Sequence, residues 1–380
     1  MDKTKLKPDK KLLFFVTEDW YFCLHWLNFA LAAQRDGYDV CVVTQVSDKA
    51  DEIRALGLKL IPVELSRHGI NPLDEIRLLW KLIAIYRQER PIVVHHVAMK
   101  PIVYGTIAAL LSGVERMVNA VAGLGYLFST SSYKSKLLRP VIKTVFRVLR
   151  RVSPATFVFQ NPDDAERIFA RHKRGVAVVL GVGVDTQRFS LSPVPQGTPL
   201  VILPARLLWD KGVAEFVSAA TYFKATSKNC RFALVGSIDE GNPAAVTPVQ
   251  VQAWVSQGVV EWWGFRDDML AVYSQSSIVC LPSYREGLPT SLLEAASCGR
   301  PLVATDAPGC REIVRDSDNG FLVPVRDTKA LIRALARLIG SVELCARMGR
   351  RGREIVEAEF RVEEVVGKYL ALYRGELRDG

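Results

Sequence analysis

Ser277-Ile278-Val279-Cys280-Leu281, then Tyr284-Arg285-Glu286-Gly287-Leu288-Pro289-Thr290-Ser291-Leu292-Leu293-Glu294-Ala295, is the stretch whose reading decides the fold. The first run is apolar without polar alternation, as a strand buried on both faces should be. Gly287 and Pro289 break the strand, and a helix begins behind them. Two carboxylates bracket the turn. Glu286 stands on the loop past the strand's carboxyl end, and Glu294 about one and a half turns into the helix at ~3.6 residues per turn. Ligands of open α/β sheets bind at that edge. The helix end there offers unsatisfied N–H groups to an anion. An acid that grips hydroxyls beside a helix end that grips phosphate suits a sugar nucleotide, which has both groups.

Outward from this unit, apolar runs alternate with amphipathic stretches. Strands are expected at residues 12–17, 40–44, 60–63, 92–96, 117–121, 156–160 and 176–180. Helical patterns lie between them, as at 25–34 and 72–88. Residues 190–199, rich in Pro, Ser and Gly, read as a linker. Strands resume at 200–205, 232–236, 259–262, 277–281, 301–305 and 321–323, and helices follow at 329–339 and 361–377. Two successive βα series predict an α/β protein of two Rossmann-like domains facing a cleft. The expected division is 1–189, 200–358, and a terminal segment 359–380.

The chain has 380 residues, 49% of them hydrophobic, enough for two cores. Residues 1–11 are polar and charged and read as no secretory signal. No apolar run nears the ~20 residues that span a bilayer. The seven cysteines (Cys23, Cys41, Cys230, Cys280, Cys298, Cys310, Cys345) form no close pairs and read as reduced thiols of a cytosolic protein. A net charge of +10 favours an anionic partner: a phosphorylated ligand, an anionic membrane or nucleic acid. No helix-turn-helix, RNP-like or zinc-finger pattern appears, so nucleic acid is not expected.

The run from Glu286 to Glu294 continues as Ala296-Ser297-Cys298-Gly299-Arg300-Pro301-Leu302-Val303-Ala304-Thr305 and then Gly309-Cys310-Arg311-Glu312-Ile313-Val314. Together these resemble the E-x7-E region of the retaining glycosyltransferases of family 4, which have the GT-B fold. The resemblance covers nearly the whole chain and is strongest from 206 to 325. It implies that Arg206 and Lys211, in Ala205-Arg206-Leu207-Leu208-Trp209-Asp210-Lys211-Gly212, hold the donor diphosphate. Arg is a bidentate fork and Lys a point charge for such a group. It also implies that Glu294 binds the ribose, Glu286 the donor sugar's hydroxyls, and the backbone of Leu288, Pro289, Thr290 and Ser291 behind Gly287 the phosphates. In the family the leaving phosphate takes the acceptor proton during front-face attack. The last helix of the family crosses back onto the first domain.

Gly236, in a small-residue turn, admits a ligand closely. Phe265, in Trp263-Gly264-Phe265-Arg266-Asp267-Asp268, lies in what resembles the base-binding loop. The Asp267-Asp268 pair reads as a helix cap rather than a metal ligand. No D-x-D motif is suitably placed, so no metal and no other cofactor is expected.

In the first half the loop residues Asp19, Trp20 and His25 are expected at the cleft. The family's Gly-rich turn is missing there. In Val93-Val94-His95-His96-Val97-Ala98-Met99-Lys100-Pro101 only one His faces the cleft, because side chains alternate on a strand. His96 and Lys100 are the expected cleft residues. Gly123 and Gly125 stand where family members often place a His.

Residues 134–152 make a helical pattern with Leu138, Val141, Ile142, Val145, Leu149 and Val152 on one face. Lys136, Arg139, Lys143, Arg147 and Arg150 lie on the other, and no acid interrupts. This pattern fits a helix lying on anionic lipid, and equally a packed helix with a solvated basic face.

The expected activity is retaining transfer of a sugar from a nucleoside-diphosphate-sugar, a UDP-sugar above others, to a glycan acceptor. A polyprenyl-diphosphate-linked acceptor at the cytoplasmic face of the membrane is the expected partner. The first half resembles bacterial members that extend lipid-linked oligosaccharides. A sugar-nucleotide epimerase of the same fold, or a non-catalytic sugar-nucleotide-binding paralogue, are the alternatives.

Overall fold

The structure, a computed structural model, describes residues 10–65, 71–124, 133–170, 174–239 and 241–376, with side chains throughout except 133–136. It divides into two compact units. One falls within residues 1–123, 136–182 and 365–380, and the other comprises mainly 183–364.

The first unit holds a seven-stranded parallel sheet ordered β3-β2-β1-β4-β5-β6-β7. Its strands are β1 (Lys11–Glu18), β2 (Asp39–Gln45), β3 (Lys59–Pro62), β4 (Val93–Val97), β5 (Arg116–Val121), β6 (Ala155–Phe159) and β7 (Val176–Val178). The second holds a six-stranded parallel sheet ordered β10-β9-β8-β11-β12-β13. These are β8 (Leu200–Pro204), β9 (Arg231–Val235), β10 (Glu261–Trp262), β11 (Ile278–Leu281), β12 (Leu302–Thr305) and β13 (Gly320–Val323). Each is one of the expected strands, within a few residues at the ends. The apolar runs form central strands because parallel sheets are covered on both faces. Leu12 to Val16 of β1 and Val201 to Leu203 of β8 have no exposed surface.

Strand order reverses between β1 and β4 in the first sheet, and between β8 and β11 in the second. Such a switch point opens a crevice at the carboxyl ends of the strands. The loops after β8 and β11 therefore begin side by side.

The expected orientation of the His pair is corrected. Both are fully buried, because helices cover both faces of β4. His95 Nδ1 lies 2.6 Å from the Tyr373 hydroxyl on the last helix, Val362–Arg374. His96 Nδ1 lies 2.7 Å from Asn119 Oδ1, and its Nε2 3.0 Å from the Tyr86 hydroxyl. His96 is a core histidine. Burial pushes it down to about 4, so it is neutral.

The helix Tyr133–Val152 corrects the expected division of faces. Phe146 and Leu149 bury inward, but Leu138, Val141, Val148 and Val152 are exposed, as is Leu137. Part of the basic face turns toward the unit instead. The Arg150 guanidinium lies 4.7 Å from the centre of the Phe169 ring, and Arg147 Nε donates to the Ile168 carbonyl at 3.0 Å. Long arginine stems cover apolar surface while their heads find carbonyls. The side chain of Lys136 lies outside the described residues. No helix among them is long and apolar enough to cross a membrane.

Candidate active site

The site is built at the switch point of the second sheet. Strand β8 ends at Pro204, and the chain turns through Arg206 into a short 3-10 turn, Trp209–Lys211. Gly212 follows with φ +75°, and a Cβ there would stand 2.2 Å from the Pro282 carbonyl oxygen. Only glycine lets the loops after β8 and β11 come so close. That approach brings Lys211 to Glu286. The Lys211 ammonium donates to both carboxylate oxygens, at 2.7 and 2.6 Å. Ser283 Oγ donates to Glu286 Oε1 at 2.7 Å, and the Glu286 N–H to the Pro308 carbonyl at 3.0 Å. A Cβ at Gly309 would stand 2.7 Å from the Glu286 Cβ. Three loops, after β8, β11 and β12, thus fix one carboxylate.

Behind Glu286, Gly287 and Leu288 lead to Pro289, and the helix Thr290–Ser297 begins. Pro289 lends no side-chain cap, and the first turn carries no acid. The N–H groups of Thr290 and Ser291 therefore stand where an anion is favoured. Glu294 is the fifth residue of the helix, about one and a half turns in, as the spacing suggested. Its carboxylate accepts from the Tyr273 hydroxyl at 2.9 Å. Burial pushes Glu294 up to about 7, against the lowering effects of the Tyr273 hydrogen bond and the Arg188 charge.

Arg206 is not drawn into the Lys211–Glu286 pair. Its Nη1 bonds Asp239 Oδ2 at 2.7 Å, on the loop after β9. Gly236 is needed for the backbone rather than for open space, since a Cβ there would meet the Ala205 carbonyl oxygen at 2.0 Å. Phe265 is 74% exposed on the loop after β10, which Trp262 anchors by donating from Nε1 to the Gly236 carbonyl at 2.9 Å. Asp268 caps the next helix, accepting from the Ala271 N–H at 3.2 Å. Among the described residues no cluster of His, Cys, Asp and Glu is arranged to hold a metal.

In the first unit Asp19 is buried and its carboxylate is spent on structure. It accepts from the backbone of Trp20, Ser47 and Lys49, and from the Ser47 hydroxyl. Burial raises its pKa, but these donors outweigh it and hold the carboxyl below its ordinary value. Trp20 Nε1 donates to Glu18, and His25 lies 4.5 Å from the Tyr21 ring. Lys100 reaches Glu75 Oε1 at 2.6 Å. Gly123 has φ +100°, and Gly125 lies outside the described residues. The sequence reading missed Ser283, Tyr273, Asp239 and Pro308 as supports of the acids and Arg206. Only Ser283, three before Glu286, carried a local signal.

Residues 11–155 match the family described as Glycosyl transferase 4-like, and residues 185–355 the Glycosyl transferases group 1. The N,N'-diacetylbacillosaminyl-diphospho-undecaprenol alpha-1,3-N-acetylgalactosaminyltransferase of Campylobacter jejuni is 27% identical over 359 residues, spanning 90% of this chain and 92% of its own. Sucrose-phosphate synthase from Thermosynechococcus elongatus superposes with a TM-score of 0.79 at 19% identity, over 96% of this chain and 98% of that one. Anabaena Alr3699/HepE, in complex with UDP, does so at 0.76 and 18%, over 97% and 100%. Both are fold relatives of the GT-B type. Matched in both halves and carrying two Rossmann-like sheets, the chain belongs to the glycosyltransferases, with a group 1 second half behind a 4-like first half.

Proposed function

We propose that this glycosyltransferase moves a sugar from a UDP-sugar to a polyprenyl-diphosphate-linked glycan, with retention of anomeric configuration. The observation that carries the reading is the Lys211–Glu286 pair at the switch point, beside an uncapped helix start. Lys211 and the N–H groups of Thr290 and Ser291 would take the diphosphate. Arg206 joins them by exchanging Asp239 for phosphate. As the glycosidic bond breaks, charge grows on the leaving phosphate, and preorganised donors at that point lower the barrier most. Glu286, released by Lys211, would accept from the sugar's hydroxyls. Glu294, once ionised, would accept from the ribose, and Phe265 lies on the loop that would meet the base.

The UDP complex of the Anabaena structure supports the choice of base. The diphospho-undecaprenol in the name of the Campylobacter relative supports the acceptor class, and its transferred group favours an N-acetylhexosamine. The exposed apolar side chains of Tyr133–Val152 support seating on the cytoplasmic face of the membrane.

The test is transfer by purified protein. UDP-sugars are screened against a polyprenyl-diphospho-sugar, and the product's anomeric configuration is read by NMR. A new α-linkage from an α-donor is expected. Conversion of the UDP-sugar without acceptor would indicate an epimerase. Tight UDP-sugar binding without turnover would indicate a non-catalytic paralogue.

A further inference from the structure

We infer that the first unit carries a second anion site, at the amino-terminal edge of its sheet. A cavity of about 1110 Å³ opens there, where β5 begins at Arg116 and β6 at Ala155. Candidate donor groups in this fold gather at the carboxyl edges of the strands, so this cavity belongs to a different place. Arg116, Arg147, Arg150, Arg151 and Arg174 line it, and among the described residues Glu115 is the one acid in its lining.

Several of these guanidiniums are positioned by neutral groups. Arg116 Nη1 donates to the Tyr373 carbonyl, and Arg147 Nε to that of Ile168. Arg150 stacks on Phe169 and reaches the Arg174 carbonyl at 3.4 Å. The carbonyl contacts of Arg116 and Arg147 aim those two groups without cancelling their charge. Arg151 and Arg174 are exposed and form no ion pair among the described residues. Five cations around one cavity repel one another, and an anion between them relieves that repulsion. Guanidinium forks match phosphate oxygens in pairs. The ligand class is therefore a phosphate-bearing anion.

Such a group can be free in solution or be a lipid headgroup. Val148 and Val152, 51% and 57% exposed on the helix that supplies three of the arginines, would lie against acyl chains. The lipid source rests on the membrane reading above; the phosphate chemistry does not.

The test compares the parent with an Arg151→Gln/Arg174→Gln variant. Neither side chain supports the fold or belongs to the donor residues. Inorganic pyrophosphate is titrated calorimetrically with the donor site filled by saturating UDP. Co-sedimentation is measured with phosphatidylcholine vesicles with and without phosphatidylglycerol. A charge-assisted pair to phosphate is worth about tenfold in affinity, so the double variant should bind about 100-fold more weakly. Arg151→Lys should lose far less than Arg151→Gln, since it keeps the charge. Loss confined to pyrophosphate assigns a soluble phosphate, and loss confined to anionic vesicles assigns a headgroup. Equal pyrophosphate affinity and equal sedimentation of parent and variant would overturn the site. Transfer to a short soluble acceptor should be the same in both proteins, which separates this result from failure of the transferase reading.

Discussion

The ammonium of Lys211 lies 2.7 and 2.6 Å from the two carboxylate oxygens of Glu286, across 75 residues of sequence. Each group occupies the other's binding capacity. On the proposed reading, a diphosphate arriving at Lys211 would take over the ammonium and so free the carboxylate oxygens for hydroxyls. Donor binding at this pair would then be an exchange of partners, with the two halves of a sugar nucleotide recognised together.

Lys211→Ala should lower kcat/KM for transfer by about 100- to 1000-fold, the usual loss for one preorganised donor. The partly exposed pair contributes only about 1 kcal/mol to the fold, so melting should change by a few degrees at most. Because the residues act as a unit, Lys211→Ala/Glu286→Ala should lose little more than the worse single variant. Near-normal turnover of a folded Lys211→Ala protein removes the donor assignment.

Glu294 predicts opposite effects of pH on stability and on binding. Its folded pKa, about 7, lies above the ordinary 4.5, so between these values the folded state holds a proton that the unfolded state has lost. Its contribution to stability therefore falls as pH rises from about 4.5 to about 7, by no more than about 3 kcal/mol. Buried neutral His96 pulls the other way in that window, so the quantity to follow is parent minus Glu294→Gln in denaturant melts at each pH. UDP-sugar affinity should instead rise through pH 7 in the parent, where the carboxylate forms, and stay flat in Glu294→Gln. Parallel binding profiles would remove Glu294 from the ribose.

Gly105 offers a test of the core reading of His96. A Cβ at Gly105 would stand 2.5 to 2.9 Å from three atoms of the His96 ring, which Asn119 and Tyr86 hold in place. Gly105→Ala should cost about 1–3 kcal/mol through overpacking. The double variant Gly105→Ala/His96→Ala should lose less than the sum of the singles. UDP affinity measured by calorimetry should be unchanged in all three. A donor-affinity loss in His96→Ala with normal stability would return that histidine to the site.

Transfer should persist in excess EDTA, because Lys211, Arg206 and a helix N-terminus can carry the phosphate charge. Complete loss, restored by manganese or magnesium, contradicts this.

The strands were legible because parallel sheets covered on both faces leave unbroken apolar runs, as at β1 and β8. The acid-bracketed turn was legible because Glu286, Gly287, Pro289 and Glu294 are consecutive along the chain. What escaped was the side from which a periodic element is covered. Alternation separates His95 from His96, but no local signal announces that Tyr86 and Gly105 close over one and Tyr373 over the other. The helix Tyr133–Val152 showed its periodicity in the same way, yet Phe146 and Leu149 rather than the whole apolar stripe face inward. Asp239 and Pro308 support the site from loops far along the chain, where only three-dimensional proximity gives them a role.

If the helix start captures the donor as proposed, Pro289 at the head of Thr290–Ser297 sets folding against ligand capture at one position. An Asp or Ser there would cap the helix and strengthen the fold by about 1 kcal/mol. It would also occupy the N–H groups, and an Asp would repel the phosphates. Selection for robustness and selection for turnover would then pull in opposite directions on a single side chain. Thermostabilised versions of this protein obtained by screening melting temperature alone should accumulate caps at 289 and lose donor affinity in proportion.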